Sequence, residues 1–311
     1  MKKLINDVES VLGETLDGMA LAHADILTLG PARQFVARRT LKPGFVGHGM
    51  LDAACPGQVF TSPTPNQMLA AAQAVDTGAG VLFIVKNYSG DMMNFEMAAE
   101  MLELDNQTVI VNDDVAVENS TYTTGRRGVA GTLIVEKILG AAAERGADLP
   151  ALKKLGDAVN KATASMGVAL TSCTVPAAGK PTFQMAEDEM EVGVGIHGEP
   201  GRRRVKLTSA DEIADELTTA ILKDLSLPRG QKVLLLVNGF GGTPLMELYV
   251  MVTAVHKVLA EAGIEVVRHL TGSYVTSLEM AGCSVTISAL DADMLALWDA
   301  PVHTASLRWG A

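Results

Sequence analysis

Three polar clusters in this chain each follow an apolar run, and each holds side chains able to do chemistry. The first, Gly195-Ile196-His197-Gly198-Glu199-Pro200-Gly201, sets one imidazole between glycines. Small neighbours leave the ring open to a small ligand, and a neutral imidazole nitrogen can attack a carbonyl carbon. The same run also reads as a turn whose histidine only bonds a backbone carbonyl. In the second, Lys86-Asn87-Tyr88-Ser89-Gly90-Asp91, an ammonium and a carboxylate stand at the two ends of one strand-to-helix loop. Asp91 can take a proton from a substrate hydroxyl while Lys86 holds its oxygen. As a helix N-cap, Asp91 would do no more than satisfy backbone donors. The third, Asn112-Asp113-Asp114, offers adjacent carboxylates to a divalent cation, but no further acid or histidine lies in register, and a solvated loop is the simpler reading.

Two other motifs carry weaker signals. Asn238-Gly239-Phe240-Gly241-Gly242-Thr243-Pro244 is a glycine-rich turn of the kind that cradles phosphate, yet it lacks the spacing of a dinucleotide fingerprint and the Lys-Ser/Thr of a P-loop. Gly125-Arg126-Arg127-Gly128 presents two guanidiniums to a phosphate or an acidic partner, or simply a solvated pair at a helix start. Cys55, Cys173 and Cys283 are odd in number, widely spaced and outside any zinc-ligand pattern, so they read as reduced thiols in a cytoplasmic protein. His23, His256, His269 and His303 have no partner visible in the sequence and read as structural.

These groups must be held by strands and helices, and the hydrophobic periodicity supplies both. Leu4, Ile5, Val8, Leu12, Leu16 and Met19 mark a helix over residues 2–20. A strand over 35–39 and an irregular stretch lead to a helix near Pro65. Strand 81–85, helix 91–104 and strand 108–111 follow, then helices over 127–145 and 149–164. A second series runs through strands 168–174 and 191–196, a helix capped by Thr208 or Ser209, strand 232–237, helix 244–262, and strands 265–270 and 284–289. Apolar strands alternating with helices predict two packed α/β domains, each a sheet layer flanked by helices. The boundary is placed between 164 and 165, which puts Lys86 and Asp91 in the N-terminal domain, 1–164, and His197 in the C-terminal domain, 165–311.

The composition narrows the function classes. With 311 residues, 48% hydrophobic and 20% charged, the chain can bury a substantial core. The formal charge of -11 repels nucleic-acid phosphates and anionic lipid. Asn6, Asp7 and Glu9 interrupt any signal-peptide core after Lys2-Lys3, and no apolar run approaches the ~18 residues of a membrane span. A cytoplasmic protein with neither a nucleic-acid nor a membrane partner is expected.

Taken together, the motifs resemble the dihydroxyacetone-binding subunit of bacterial, phosphotransferase-dependent dihydroxyacetone kinase. The resemblance is carried by Met1-Lys2-Lys3-Leu4-Ile5-Asn6-Asp7-Val8, Phe60-Thr61-Ser62-Pro63-Thr64-Pro65 and the Lys86 to Asp91 and Asn112 to Val117 segments. It continues through Gly125-Arg126-Arg127-Gly128-Val129-Ala130, Cys173-Thr174-Val175-Pro176-Ala177-Ala178-Gly179-Lys180-Pro181, the His197 loop and the tail Leu297-Trp298-Asp299-Ala300-Pro301-Val302-His303-Thr304.

This resemblance implies that His197 binds dihydroxyacetone as a hemiaminal, an adduct that a ketone forms and glycerol cannot. It implies that Asp91 is the base for the terminal hydroxyl and that Lys86 holds a substrate oxygen. It places no cofactor on this chain: ADP/ATP and magnesium belong to a separate helical kinase subunit, recharged by the phosphotransferase system. A homodimer is implied as well. The tail motif closes at Trp309-Gly310-Ala311, so no fused helical kinase domain is expected. One departure stands out. Where the family has a strand and a Gly-His-Glu-Pro loop, this sequence passes from Lys42-Pro43-Gly44 directly to Phe45-Val46-Gly47. His48 does not match the missing histidine. Two expectations follow: a break in the chain at Pro43, Gly44 or Phe45, and a shorter one between Leu104 and Thr108. A true deletion would favour a different class, a non-catalytic dihydroxyacetone sensor that co-regulates transcription. A dinucleotide-dependent oxidoreductase built on 238–244 is the weakest alternative.

Overall fold

The computed structural model describes residues 3–38, 46–116, 125–199 and 201–310. The expected break at Pro43, Gly44 or Phe45 lies outside the described residues. In chain order the elements are α1 (Val11–Ala22), β1 (Leu27–Leu29), β2 (Val36–Arg38), β3 (Ala53–Ala54), α2 (Pro65–Val75), β4 (Val81–Lys86), α3 (Ser89–Met101), β5 (Asn106–Val111), α4 (Gly131–Glu144) and α5 (Leu149–Lys161). There follow β6 (Thr163–Ala169), β7 (Glu189–Val192), β8 (Arg203–Lys206), α6 (Ala210–Leu225), β9 (Lys232–Gly239), α7 (Leu245–Ala262), β10 (Glu265–Gly272), β11 (Gly282–Ser288), α8 (Ala292–Trp298), β12 (Val302–His303) and β13 (Arg308–Trp309).

These elements form two compact α/β units, and both draw on chain from either side of residue 164. One unit comprises Val111–Gly131 and Val159–Asp291. The other comprises Lys2–Ile110, Thr132–Ala158 and Ala292–Ala311. The expected single boundary at 164/165 therefore differs from the observed division. The reason is local: Ser165 N donates to Asp113 O at 2.7 Å and Val115 N to Ser165 O at 2.9 Å, so the segment after β5 is stitched onto β6.

The His197 unit is built on a six-stranded sheet in the order β10-β9-β11-β6-β7-β8. Only β9 and β10 run parallel; β11 is antiparallel to both β9 and β6, with Val285 opposite Val237 on one side and Met166 on the other. Strands β6 and β11 are buried along their whole length, which is why they read as unbroken apolar or small-residue runs rather than as alternation. Ile213, Leu217 and Ile221 of α6 and Leu248, Val255 and Leu259 of α7 join Val233, Leu235 and Ile287 in one core cluster. Each such side chain contributes roughly 1.5 to 3 kcal/mol by leaving water. The start of α6 is fixed by a capping box: Ser209 Oγ accepts from Glu212 N, and Glu212 reaches back to Ser209 N.

In the other unit, Phe83 and Val85 of β4 pack with Ala72 and Leu102, and Phe83 meets Phe95 edge-on at 5.6 Å. Two expectations need correction here. The opening helix begins at Val11 rather than residue 2, because Asp7, Glu9 and Ser10 hydrogen-bond among themselves in turns. The chain between Leu104 and Thr108 is continuous: Val81 N donates to Asp105 O at 2.8 Å and Asn106 Nδ2 to Leu104 O at 3.0 Å, so no break occurs there. Among the described residues no helix is long and apolar enough to cross a membrane.

Candidate functional site

Strand β4 delivers Lys86 at its carboxyl end, and the chain turns at once into α3. Tyr88 N donates to Lys86 O at 2.8 Å, and Tyr88 itself is extended and buried at the N-cap position. The helix starts at Ser89, two residues before the expected start, so Asp91 lies inside the first turn and the simple N-cap reading of it does not hold. A carboxylate in this turn lies among the free amide donors at the positive end of the helix. The 60–64 segment is fastened to the same turn. Asn94 Nδ2 donates to Pro63 O at 2.8 Å, and a Cβ on Gly90 would stand 2.7 Å from Ser62 Oγ.

Lys86 has a charged neighbour that the sequence did not single out. Burial pushes the Glu136 carboxyl up, the Lys86 ammonium pulls it back down, and Thr132 Oγ1 donates to Glu136 Oε1 at 2.9 Å. Glu136 sits in the apolar run of α4, next to Lys137. Lys137 is in fact fully buried, donates to the carbonyls of Trp298 and Ala300 and lies over both tryptophan rings; burial lowers it to about 8.

The His197 loop leaves β7 at Val192, earlier than the expected strand 191–196. Residues 194–196 are buried, whereas His197 is half-buried. The loop is pinned at both ends. Gly193 N donates to Gly167 O at 2.7 Å, Arg202 N to Val192 O at 2.7 Å, and Gly201 N to the buried Glu191 carboxylate at 3.0 Å. Glycine at 198 is required twice over: its φ is +70°, and a Cβ would stand 2.7 Å from Thr182 Oγ1 and 2.8 Å from Cys173 Sγ.

The Asn112-Asp113-Asp114 and Gly125 to Gly128 motifs turn out to serve this same unit structurally, not as a solvated loop or a phosphate site. Asp113 is buried and accepts from Val129 N at 2.8 Å, Gly131 N at 2.7 Å and the Ser165 hydroxyl. Asp114 is equally buried and pairs with Arg127, while Arg126 pairs with Asp224. Among the described residues no group of three or more His, Cys, Asp or Glu side chains is arranged to hold a metal ion. Lys86, Asp91 and Glu136 thus belong to one unit and His197 to the other.

A six-stranded mixed sheet presenting one histidine loop, in a chain whose second α/β unit carries a Lys/Asp strand-to-helix turn, is the architecture of a known family. The Dak1 domain matches residues 40–306, and the chain belongs to that family. It is 47% identical, over 98% of its length and 99% of the relative's, to the dihydroxyacetone-binding subunit of the PTS-dependent dihydroxyacetone kinase 1 of Listeria innocua. It is 45% identical, over the full length of both, to the dihydroxyacetone-binding subunit of the PEP-dependent kinase of Escherichia coli. The latter alignment runs to 356 positions against 311 residues here, so the relative carries residues with no counterpart in this chain. Among solved structures, the dihydroxyacetone kinase of C. freundii is similar at a TM-score of 0.89 and 30% identity, over 99% of this chain and 60% of that one. A dihydroxyacetone kinase operon co-activator is similar at 0.87 and 31%, over 95% of this chain and 97% of that one.

Proposed function

We propose that this chain is the dihydroxyacetone-binding subunit of a phosphotransferase-dependent dihydroxyacetone kinase. The end-to-end likeness to subunits of that name, at 45 to 47% identity, is the observation that carries the reading. In it, the unprotonated ring nitrogen of His197 adds to the ketone carbon. The new C–N bond forms as the carbonyl π pair moves onto oxygen, and that oxygen takes up a proton as the other ring nitrogen loses its own. The product is a neutral hemiaminal. Selectivity then comes from reactivity, since a polyol without a carbonyl forms no such bond. Asp91 accepts the proton of the terminal hydroxyl as that oxygen attacks a phosphoryl group, and Lys86 holds a substrate oxygen. The half-buried, glycine-flanked setting of His197 and the first-turn setting of Asp91 support these roles.

On this reading the chain carries no cofactor of its own. ADP/ATP and magnesium sit on a separate helical subunit, recharged by the phosphotransferase system, and the present chain forms a homodimer in the cytoplasm. A coupled assay with that helical subunit and its phosphoryl donor, following dihydroxyacetone phosphate, tests it. Product formation that depends on this chain supports the kinase role.

A second reading has one specific observation in its favour: the direct passage from Gly44 to Phe45, where the resemblance calls for a Gly-His-Glu-Pro loop. A chain without that histidine could bind the ketone through His197 yet transfer no phosphoryl group, and so act as a sensor. Tight dihydroxyacetone binding with no product in the coupled assay would select this reading.

A further inference from the structure

Behind His197 lies a relay of buried charge that the chemistry above leaves unused. Arg127 is fully buried, and a guanidinium so far from water is tolerated only where its donors are matched. Its Nε and Nη2 reach Asp114 Oδ2 at 2.8 and 2.6 Å, and Nη2 donates to Gly193 O at 2.7 Å, where the loop leaves β7. Its Nη1 stands 3.6 Å from Glu199 Oε1. The other oxygen of that carboxylate, Oε2, accepts the backbone N–H of His197 at 3.0 Å. Glu199 is itself only 6% exposed. One buried carboxylate therefore has a fixed cation on one oxygen and the main chain of the reactive histidine on the other. Gly195 makes room for it: a Cβ there would collide with Glu199 Oε1 and stand 2.8 Å from Arg127 Nη1.

We infer that Glu199, held by Arg127, is the positioning residue for His197, and that glycine is required at 195 because any side chain would displace the carboxylate. The inference rests on the reading of His197 as the ketone-binding group. A turn with glycine at 195 and 198 has little stiffness of its own, whereas bond formation needs the nitrogen held close to the ketone carbon. Misplacement by about 1 Å can cost on the order of 10²-fold in reactivity.

Glu199→Gln keeps the shape of the side chain but removes its charge. Relative to wild type, the His197 amide should exchange with deuterium at least about tenfold faster, the order set by one charge-assisted hydrogen bond. Amides of β9, which report the stability of the unit, should change far less. Dihydroxyacetone should bind about 10- to 100-fold more weakly, and in the coupled assay the rise should fall on KM rather than on kcat. Gly195→Ala, which leaves both charges in place, should weaken binding similarly, and shortening the acid in Gly195→Ala/Glu199→Asp should restore part of the loss. This double variant decides the matter even if Glu199→Gln folds poorly. Unchanged His197 exchange, exchange that rises equally in β9, or faster exchange with unaltered affinity would each overturn the inference. If wild type binds no dihydroxyacetone while His197 exchange still responds selectively, the ketone reading fails and the clamp stands.

Discussion

Replacing Arg127 by methionine keeps most of the side chain's bulk and removes its charge, which isolates what the guanidinium does. Asp114 and Glu199 are 2% and 6% exposed, so neither carboxylate can turn to water when the cation goes. Breaking a buried pair from one side costs about 3 to 5 kcal/mol, because the partner is left charged and unmatched. The Gly193 carbonyl loses a donor as well. With a urea slope of about 2 kcal/mol per molar, a loss near 4 kcal/mol shifts the unfolding midpoint of the unit by about 2 M. The pH dependence supplies a second signature. Burial pushes Asp114 up to about 6 from a reference of 3.8, with Arg127 pulling the other way. A carboxyl raised in the folded state binds its proton more tightly there, so stability falls as pH rises between the two values. Without Arg127 the folded value climbs further, and the window extends upward. The Arg127→Met deficit should therefore be largest near pH 8 and shrink toward pH 5, measured by urea unfolding followed through circular dichroism. A deficit under about 1 kcal/mol at pH 8 would refute the reasoning, since it falls below the floor for a broken buried pair. So would a deficit that grows on acidification.

Three other outcomes are expected. Asp91→Asn should lower dihydroxyacetone phosphate formation by roughly 10² to 10⁴-fold, the usual worth of a general base, while calorimetry finds binding little changed; equal turnover would remove Asp91 from the chemistry. Leu235→Ala, in the core cluster of the His197 unit, should cost about 2 to 5 kcal/mol in urea unfolding, and a smaller loss would mean that the sheet closes over the cavity. Lys137, lowered to about 8 by burial from a reference of 10.5, loses its proton in the folded state first, so the penalty for burying its charge is constant below about pH 8 and relieved as pH rises toward 10.5. The stability difference between Lys137→Met and wild type should accordingly move in favour of wild type over that interval, and a flat difference would contradict the assignment.

Much of this architecture is legible from periodicity because the strands that matter are buried on both faces. β9, β4 and β11 read as apolar runs, and α6 announces its start through Ser209 and Glu212. Strand β8 left no such trace. Arg203, Arg204 and Lys206 make it look like loop, yet it is an edge strand whose charges find partners, Arg204 on Glu191 of the neighbouring strand and Arg203 on Glu216 of α6. The interleaving of the two units was invisible for a related reason. No change in composition marks the crossings, and what draws residues 113–115 onto β6 is backbone pairing with Ser165.

The candidate site divides along the same line. His197, Lys86 and Asp91 stand out because each follows an apolar run in a glycine-rich setting. Their supporting partners do not. Glu136 carried no signal of its own, Asp113 and Asp114 looked like a solvated loop, and Arg127 like half of an exposed basic pair. Each acquires its meaning from a residue far along the chain: Lys86 for Glu136, Ser165 for Asp113, and Gly193 and Glu199 for Arg127. Distant pairings of single charged residues leave no period in a sequence, so only the fold reveals them.

On the proposed function, the ketone carbon of dihydroxyacetone becomes bonded to a nitrogen of His197. Mixing carbon-13 dihydroxyacetone, labelled at the carbonyl, with protein labelled with nitrogen-15 in histidine tests it directly by NMR. A tetrahedral carbon signal split by one-bond coupling to nitrogen is expected in wild type and should be absent from His197→Ala. A bound ligand whose labelled carbon shows no coupling to nitrogen, as ketone or as hydrate, would contradict it.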